Sequence, residues 1–210
     1  MLIVSNLVKR YYTAPPVSDD NNIGEARPSQ IDARDNEDGA APAPAELGFN
    51  AVKGTSFGVK RGEVFSLLGV NGAGKSSTFG CMVGQHRVSG GTVLIDGQNV
   101  DNFVSKPYLL HGLIGYCPQN NTFDAALTVS QTIYFICRLV GVPNDQLAAY
   151  VVSTMQRFGL NRFADTQAGS LSGGNQRKLS LAMAMIGRPK IVFIDEASTG
   201  VDPGSRRTMW

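Results

Sequence analysis

The chain has 210 residues, 42% of them hydrophobic and 17% charged, with a formal net charge of +2. That length suffices for one domain whose core needs no disulfides. Three dispersed cysteines with no CxxC pair argue against a zinc ribbon or disulfide scaffold. No apolar run reaches the ~18–20 residues that span a bilayer, so a role at a membrane would place the membrane part off this chain.

In chain order, Leu2, Ile3, Val4, Leu7 and Val8 predict an opening strand that ends near Tyr12. Residues 13–48 then change character. They hold five of the ten prolines and eight acidic side chains against Arg27 and Arg34, a net of −6. With few large apolar residues, this stretch cannot bury enough surface to offset its ordering entropy, and reads as a disordered acidic insertion within a single domain, 1–210. The remainder carries a net +8, a basic body that fits a phosphate-rich partner. Residues 49–60 predict a strand, 60–63 a turn, and 64–68 a buried strand. A Gly-rich loop follows, then a helix over 75–85, a short strand over 92–95 closed by Asp96-Gly97, and a strand over 113–117. Residues 128–140 and 144–158 predict helices separated by Gly141 and Pro143. A helix over 172–186 and an apolar strand over 191–194 complete the order. Strands alternating with helices indicate an α/β fold with a parallel sheet.

Three motifs carry chemistry. Gly69-Val70-Asn71-Gly72-Ala73-Gly74-Lys75-Ser76 matches G-x-x-x-x-G-K-[ST] between a predicted strand and a predicted helix. Its glycines let backbone N–H groups turn inward, and the helix N-terminus adds its positive dipole end. Lys75 can reach β- and γ-phosphates, and the Ser76 hydroxyl can ligate Mg²⁺. In Ile191-Val192-Phe193-Ile194-Asp195-Glu196, a carboxylate stands at the end of an apolar strand. Asp195 is placed to hold Mg²⁺ and Glu196 to polarise an attacking water as a general base. Leu171-Ser172-Gly173-Gly174-Asn175-Gln176 is a Ser N-cap and two glycines opening a helix, a second anion-receptive end.

In this order the motifs resemble the nucleotide-binding domain of ATP-binding cassette (ABC) transporters. Leu171-Ser172-Gly173-Gly174 is similar to the family signature, and Ser172 precedes Asp195 by 23 residues. Gly115-Tyr116-Cys117-Pro118-Gln119 resembles the Q-loop, which implies that Gln119 senses Mg²⁺ and water and faces a transmembrane coupling helix. Ser198-Thr199-Gly200-Val201-Asp202 resembles the D-loop. Leu7, Lys9 and Tyr11 resemble the stretch whose aromatic stacks on adenine, and spacing selects Tyr11 over Tyr12. The resemblance implies a P-loop NTPase with a parallel core sheet, an antiparallel β subdomain and an α-helical signature subdomain. It implies that ATP is bound by Tyr11, Gly69, Asn71, Gly72, Ala73, Gly74, Lys75, Ser76 and Ser77. Lys75, Gln119 and Glu196 would be catalytic, and Ser76, Gln119 and Asp195 would serve Mg²⁺. Ser172, Gly173, Gly174 and Asn175 would meet ATP held by a second cassette in a head-to-tail pair. The wording is most like subfamily A, which implies lipid or amphiphile transport, transmembrane-domain partners, a place on the cytoplasmic face of a membrane, and no nucleic acid. A soluble cassette acting in translation or DNA repair is the less favoured reading.

Departures from the family pattern are Asn175 for Gln, Ala197 for Pro, and Ser76 and Ser77 for Thr. The family also places a switch histidine on the strand after the D-loop. His86 and His111 both lie upstream of the signature and read as loop or surface residues. The chain therefore looks like a C-terminally truncated cassette with an unpaired sheet edge. The alternative that follows is a cassette that binds nucleotide and pairs with others but has little turnover.

Overall fold

The computed structural model of the protein describes residues 1–12, 48–104 and 112–195. The chain forms two compact units, Met1–Pro107 and Tyr108–Trp210. The predicted insertion lies outside the described residues, apart from Gly48, which already belongs to a strand.

The first unit is built on a four-stranded antiparallel sheet. Strands β1 (Leu2–Tyr12), β2 (Gly48–Val59), β3 (Gly90–Ile95) and β4 (Gln98–Asn99) lie in the order β2-β1-β3-β4. Along β1 the buried residues are Leu2 and Val4, then Leu7 and Lys9. The change of parity is a bulge: the β1–β2 register shifts between Val4 and Leu7, and Asn6 between them has φ 47°. Lys9 is only 3% exposed, and its ammonium is satisfied by the Arg87 carbonyl at 3.0 Å. Asp96 and Gly97 both have positive φ, as a two-residue β3–β4 hairpin requires. Helix α1 (Lys75–Met82) follows the Gly-rich loop, and the short α2 (Asp101–Val104) follows β4; the sequence reading contained neither β4 nor α2.

Residues 64–68 do not form the predicted buried strand. No strand is assigned there, and Val64 and Leu68 are 84% and 88% exposed. A run of apolar residues becomes a strand only against a hydrogen-bonding edge, and these five find none among the described residues. The ring of Phe65 instead stacks on Phe57, with centroids 4.9 Å apart.

The second unit pairs β5 (Ile114–Cys117) in parallel with β6 (Ile191–Ile194). Helices α3 (Val129–Val140), α4 (Asn144–Arg157) and α5 (Gly173–Met185) lie between them in sequence. Val129, Ile133 and Cys137 recur at four-residue spacing on α3, and Leu147, Val151 and Met155 do so on α4. These stripes meet Leu160, Leu171, Leu179 and Ile186 in one core. Burying each large aliphatic side chain contributes roughly 1.5–3 kcal/mol. Thr128 and Gln131 form a complete capping box at the start of α3, and Gly141 ends that helix in the left-handed conformation. At Gly115 an added Cβ would lie 1.9 Å from the Ala184 carbonyl, so β5 and α5 approach too closely for a side chain. The β6 run is less covered than predicted: Phe193 is buried, and its neighbours are half-buried.

Candidate functional site

Gly69, Asn71, Gly72 and Ala73 form an exposed loop leading into α1. Gly72 and Gly74 have φ of 82° and 84°, and Gly74 is the left-handed N-cap of the helix. The conformation at Gly74 is doubly determined, since a Cβ there would also stand 2.2 Å from the Ala51 carbonyl. Lys75 folds back across the loop. Its Nζ donates to the carbonyls of Gly69 at 2.8 Å and Val70 at 2.9 Å. A cation, exposed loop amides and a helix N-terminus thus converge where phosphate oxygens are best stabilised. Ser76 is exposed and Ser77 half-buried in the first turn of α1.

Tyr11 joins this group and Tyr12 does not. The Tyr11 hydroxyl donates to Ser77 Oγ at 3.4 Å, whereas the ring of Tyr12 lies under the Arg10 guanidinium. The Tyr11 ring also meets Phe49, with centroids 5.6 Å apart, and His86 edge-on at 6.0 Å. His86 is a loop residue, as expected, and is half-buried against the aromatic group.

The second unit holds another set. Gln119 is exposed just past the end of β5, and Asp195 is half-buried just past the end of β6. The Asp195 amide donates to the Cys117 carbonyl at 2.9 Å, which places the two segments side by side. The signature opens α5. Ser172 occupies the N-cap position with extended φ and ψ, but its hydroxyl makes no capping hydrogen bond. Ser172 and Gly173 are exposed, and Gly174 and Asn175 are half-buried. Glu196, Asp202 and His111 lie outside the described residues.

Sequence reasoning missed Arg177 and Asn121. Arg177 is buried on the inner face of α5 with Ser180, Leu181 and Ala184, and donates to the carbonyls of Pro118, Gln119 and Asp195. The available signal was its position: a cation in phase with a buried stripe needs an internal partner. Burial raises the Cys117 thiol pKa, and the charge of Arg177 opposes that rise.

The residues expected from the sequence to serve Mg²⁺ offer a hydroxyl at Ser76 in the first unit, and an amide oxygen at Gln119 and a carboxylate at Asp195 in the second. No group of three or more His, Cys, Asp or Glu that could hold a metal ion occurs among the described residues. Hard oxygen donors with a single carboxylate suit Mg²⁺, which completes its shell with phosphate oxygens and water, and do not suit zinc. No helix of the described residues is long and apolar enough to cross a membrane.

Comparison with known proteins bears on the family and the fold. Over 160 residues, 76% of this chain, the sequence is 44% identical to ATP-binding cassette sub-family A member 7 of Rattus norvegicus. It is 43% identical to the phospholipid-transporting ATPase ABCA7 of Homo sapiens and 42% to the retinal-specific phospholipid-transporting ATPase ABCA4 of Bos taurus, again across 76% of the chain. The chain spans about 7% of the length of each of these relatives. A dimeric ATP-binding cassette in a post-hydrolysis state, bound to ADP and Pi, matches with a TM-score of 0.74 at 19% identity. That match covers 100% of this chain and 79% of the other. Clostridium perfringens cbiO1, part of an ABC transporter complex, matches with a TM-score of 0.73 at 25% identity, covering 99% and 70%. These likenesses establish the P-loop NTPase cassette fold. The family profile for ABC transporters covers residues 52–199, a span that takes in the phosphate loop, the signature and Asp195, and this chain belongs to that family.

Proposed function

We propose that this chain is the ATP-binding and ATP-hydrolysing cassette of a membrane transporter that moves lipids or similar amphiphiles. The observation that carries the reading is the phosphate loop: Lys75 Nζ is held over the carbonyls of Gly69 and Val70, at the N-terminus of α1. On this reading the ammonium exchanges those carbonyls for phosphate oxygens when nucleotide enters. Tyr11 offers its ring to adenine. Glu196 orients and deprotonates the attacking water. Ser76, Gln119 and Asp195 are the oxygen donors for Mg²⁺, which when bound supplies charge that offsets the phosphates. Ser172, Gly173, Gly174 and Asn175 serve ATP held by a partner cassette, an assignment supported by the dimeric form of a solved relative. Asp202 would belong to the same cassette pair. A lipid cargo is supported by the likeness to two phospholipid-transporting ATPases, and transmembrane partners and a place on the cytoplasmic face of the membrane belong to the same reading.

The test uses the full-length protein. MgATP should bind and be hydrolysed, Lys75→Ala should lower nucleotide affinity about 100-fold, and Glu196→Gln should bind ATP while losing about 10²–10⁴ in turnover. Failure of the full-length protein to bind ATP overturns the reading. Binding without turnover in the unmodified protein favours a nucleotide-binding, cassette-pairing role instead.

A further inference from the structure

Helix α5 begins with the signature and, within its second turn, carries Arg177, which is 4% exposed. One terminal nitrogen of its guanidinium donates to the carbonyls of Pro118 and Gln119, at 3.2 Å for the latter. The other donates to the Asp195 carbonyl at 2.5 Å. Those carbonyls stand immediately past the ends of β5 and β6, where the parallel ladder has stopped and main-chain oxygens need other donors. The fork of an arginine is planar, so satisfying both ends at once fixes the spacing between them; a lysine ammonium is a point donor and cannot do this. Beside Arg177 lies a second clasp. Asn121 Nδ2 donates to Gln176 Oε1 at 2.9 Å, and Ser180 Oγ donates to Asn121 Oδ1 at 2.9 Å. Gln176 Nε2 also reaches the Gly169 carbonyl at 3.3 Å, just ahead of the signature.

We propose that Arg177, assisted by Asn121, is a positioning residue that locks the signature helix to the backbone carrying Gln119 and Asp195. The spacing of those two side chains is then set by a group on the same helix whose first turn serves the partner's nucleotide. Movement of α5 against a partner cassette would be transmitted through one rigid guanidinium to both strand ends. This deepens the ATP-hydrolysing reading and rests on it.

The test compares Arg177→Met, Arg177→Lys and Asn121→Ala in the full-length protein. Measured quantities are ATP affinity in EDTA, the Mg²⁺ concentration giving half-maximal hydrolysis, kcat, and amide exchange at residues 119–121. Arg177→Met should leave Mg²⁺-free ATP affinity within about twofold, because the phosphate loop belongs to the other unit. It should raise half-saturating Mg²⁺ or lower kcat by about tenfold, as expected when a support behind a metal donor is lost. Arg177→Lys should recover part of that loss, and exchange at 119–121 should quicken in all three variants. Unchanged Mg²⁺ dependence, kcat and exchange in folded Arg177→Met overturn the proposal, as does an equal loss of Mg²⁺-free and Mg²⁺-dependent binding. If Arg177→Met does not fold, Asn121→Ala decides, since that side chain is exposed. A shift of about twofold or more in Mg²⁺ dependence, with faster exchange, supports the clasp, and wild-type values overturn it. An unmodified protein that neither binds nor hydrolyses ATP overturns the functional reading and this proposal with it.

Discussion

Gly74 and Gly115 both lie against a main-chain carbonyl, one in each unit, and they are constrained differently. At Gly74 the backbone is left-handed and a Cβ would strike the Ala51 carbonyl, so both conformation and space demand glycine. At Gly115 the strand conformation is ordinary and only the approach of Ala184 excludes a side chain. In the first unit, then, the candidate site is shaped by main-chain torsions around a loop. In the second it is shaped by how closely a helix packs on a strand, with Arg177 spanning the result. A loop held by torsions should lose ligand affinity when altered; a strand held by packing should lose stability.

The largest effect is expected at Gly115→Ala, which must push α5 away from β5 and should cost about 3 kcal/mol in denaturant unfolding. Nucleotide affinity of the molecules that remain folded should be preserved; its loss would break the division between the units. Gly74→Ala should do the reverse. Its strain and clash amount to about 2 kcal/mol, read as a roughly thirtyfold weaker nucleotide affinity by titration, with the melting of the helical unit little changed. Thr128→Ala removes the capping hydroxyl from α3 and should cost about 1 kcal/mol, visible as a lower denaturation midpoint with Lys75-dependent binding intact. The effect that is smallest at neutral pH is a pH slope confined to the second unit. Burial pushes the Cys137 thiol from 9.0 up to about 11. A folded-state pKa above the unfolded value gives stability that is complete below the unfolded pKa. That contribution is lost as pH rises from about 9 through 11. Replacing the thiol in Cys137→Ala should flatten this part of the urea-midpoint profile.

Much of this architecture is legible in local sequence because local chemistry decides it. The Asp96-Gly97 turn, the Gly141 stop and the loop from Gly69 to Lys75 all depend on residues a few positions apart. The structure places each as read. Residues 64–68 and 191–194 show where such reading ends. Both are apolar runs, but 191–194 pairs with β5 while 64–68 forms no strand. Hydrophobicity records a tendency to leave water, and pairing depends on an edge supplied by distant chain. The bulge at Asn6 is hidden for a related reason: it is settled jointly by β2 and β3. Arg177 is marked in the sequence only by its phase with a buried stripe; the acceptors described for it are carbonyls, which every residue possesses and no sequence marks.

The β1–β2 hairpin ends with Tyr12 opposite Gly48. The 35 residues joining them therefore leave and re-enter the sheet at adjoining points. Between adjoining ends, the entropic cost of closing a chain rises only with the logarithm of its length, and each doubling adds about 0.6 kcal/mol. The Tyr12–Gly48 pair is thus a point where a change in the length of the joining chain costs little. A fluorescent module spliced between Tyr12 and Gly48 would be tethered one residue from Tyr11, making this hairpin an address for an optical reporter of the nucleotide occupancy proposed above.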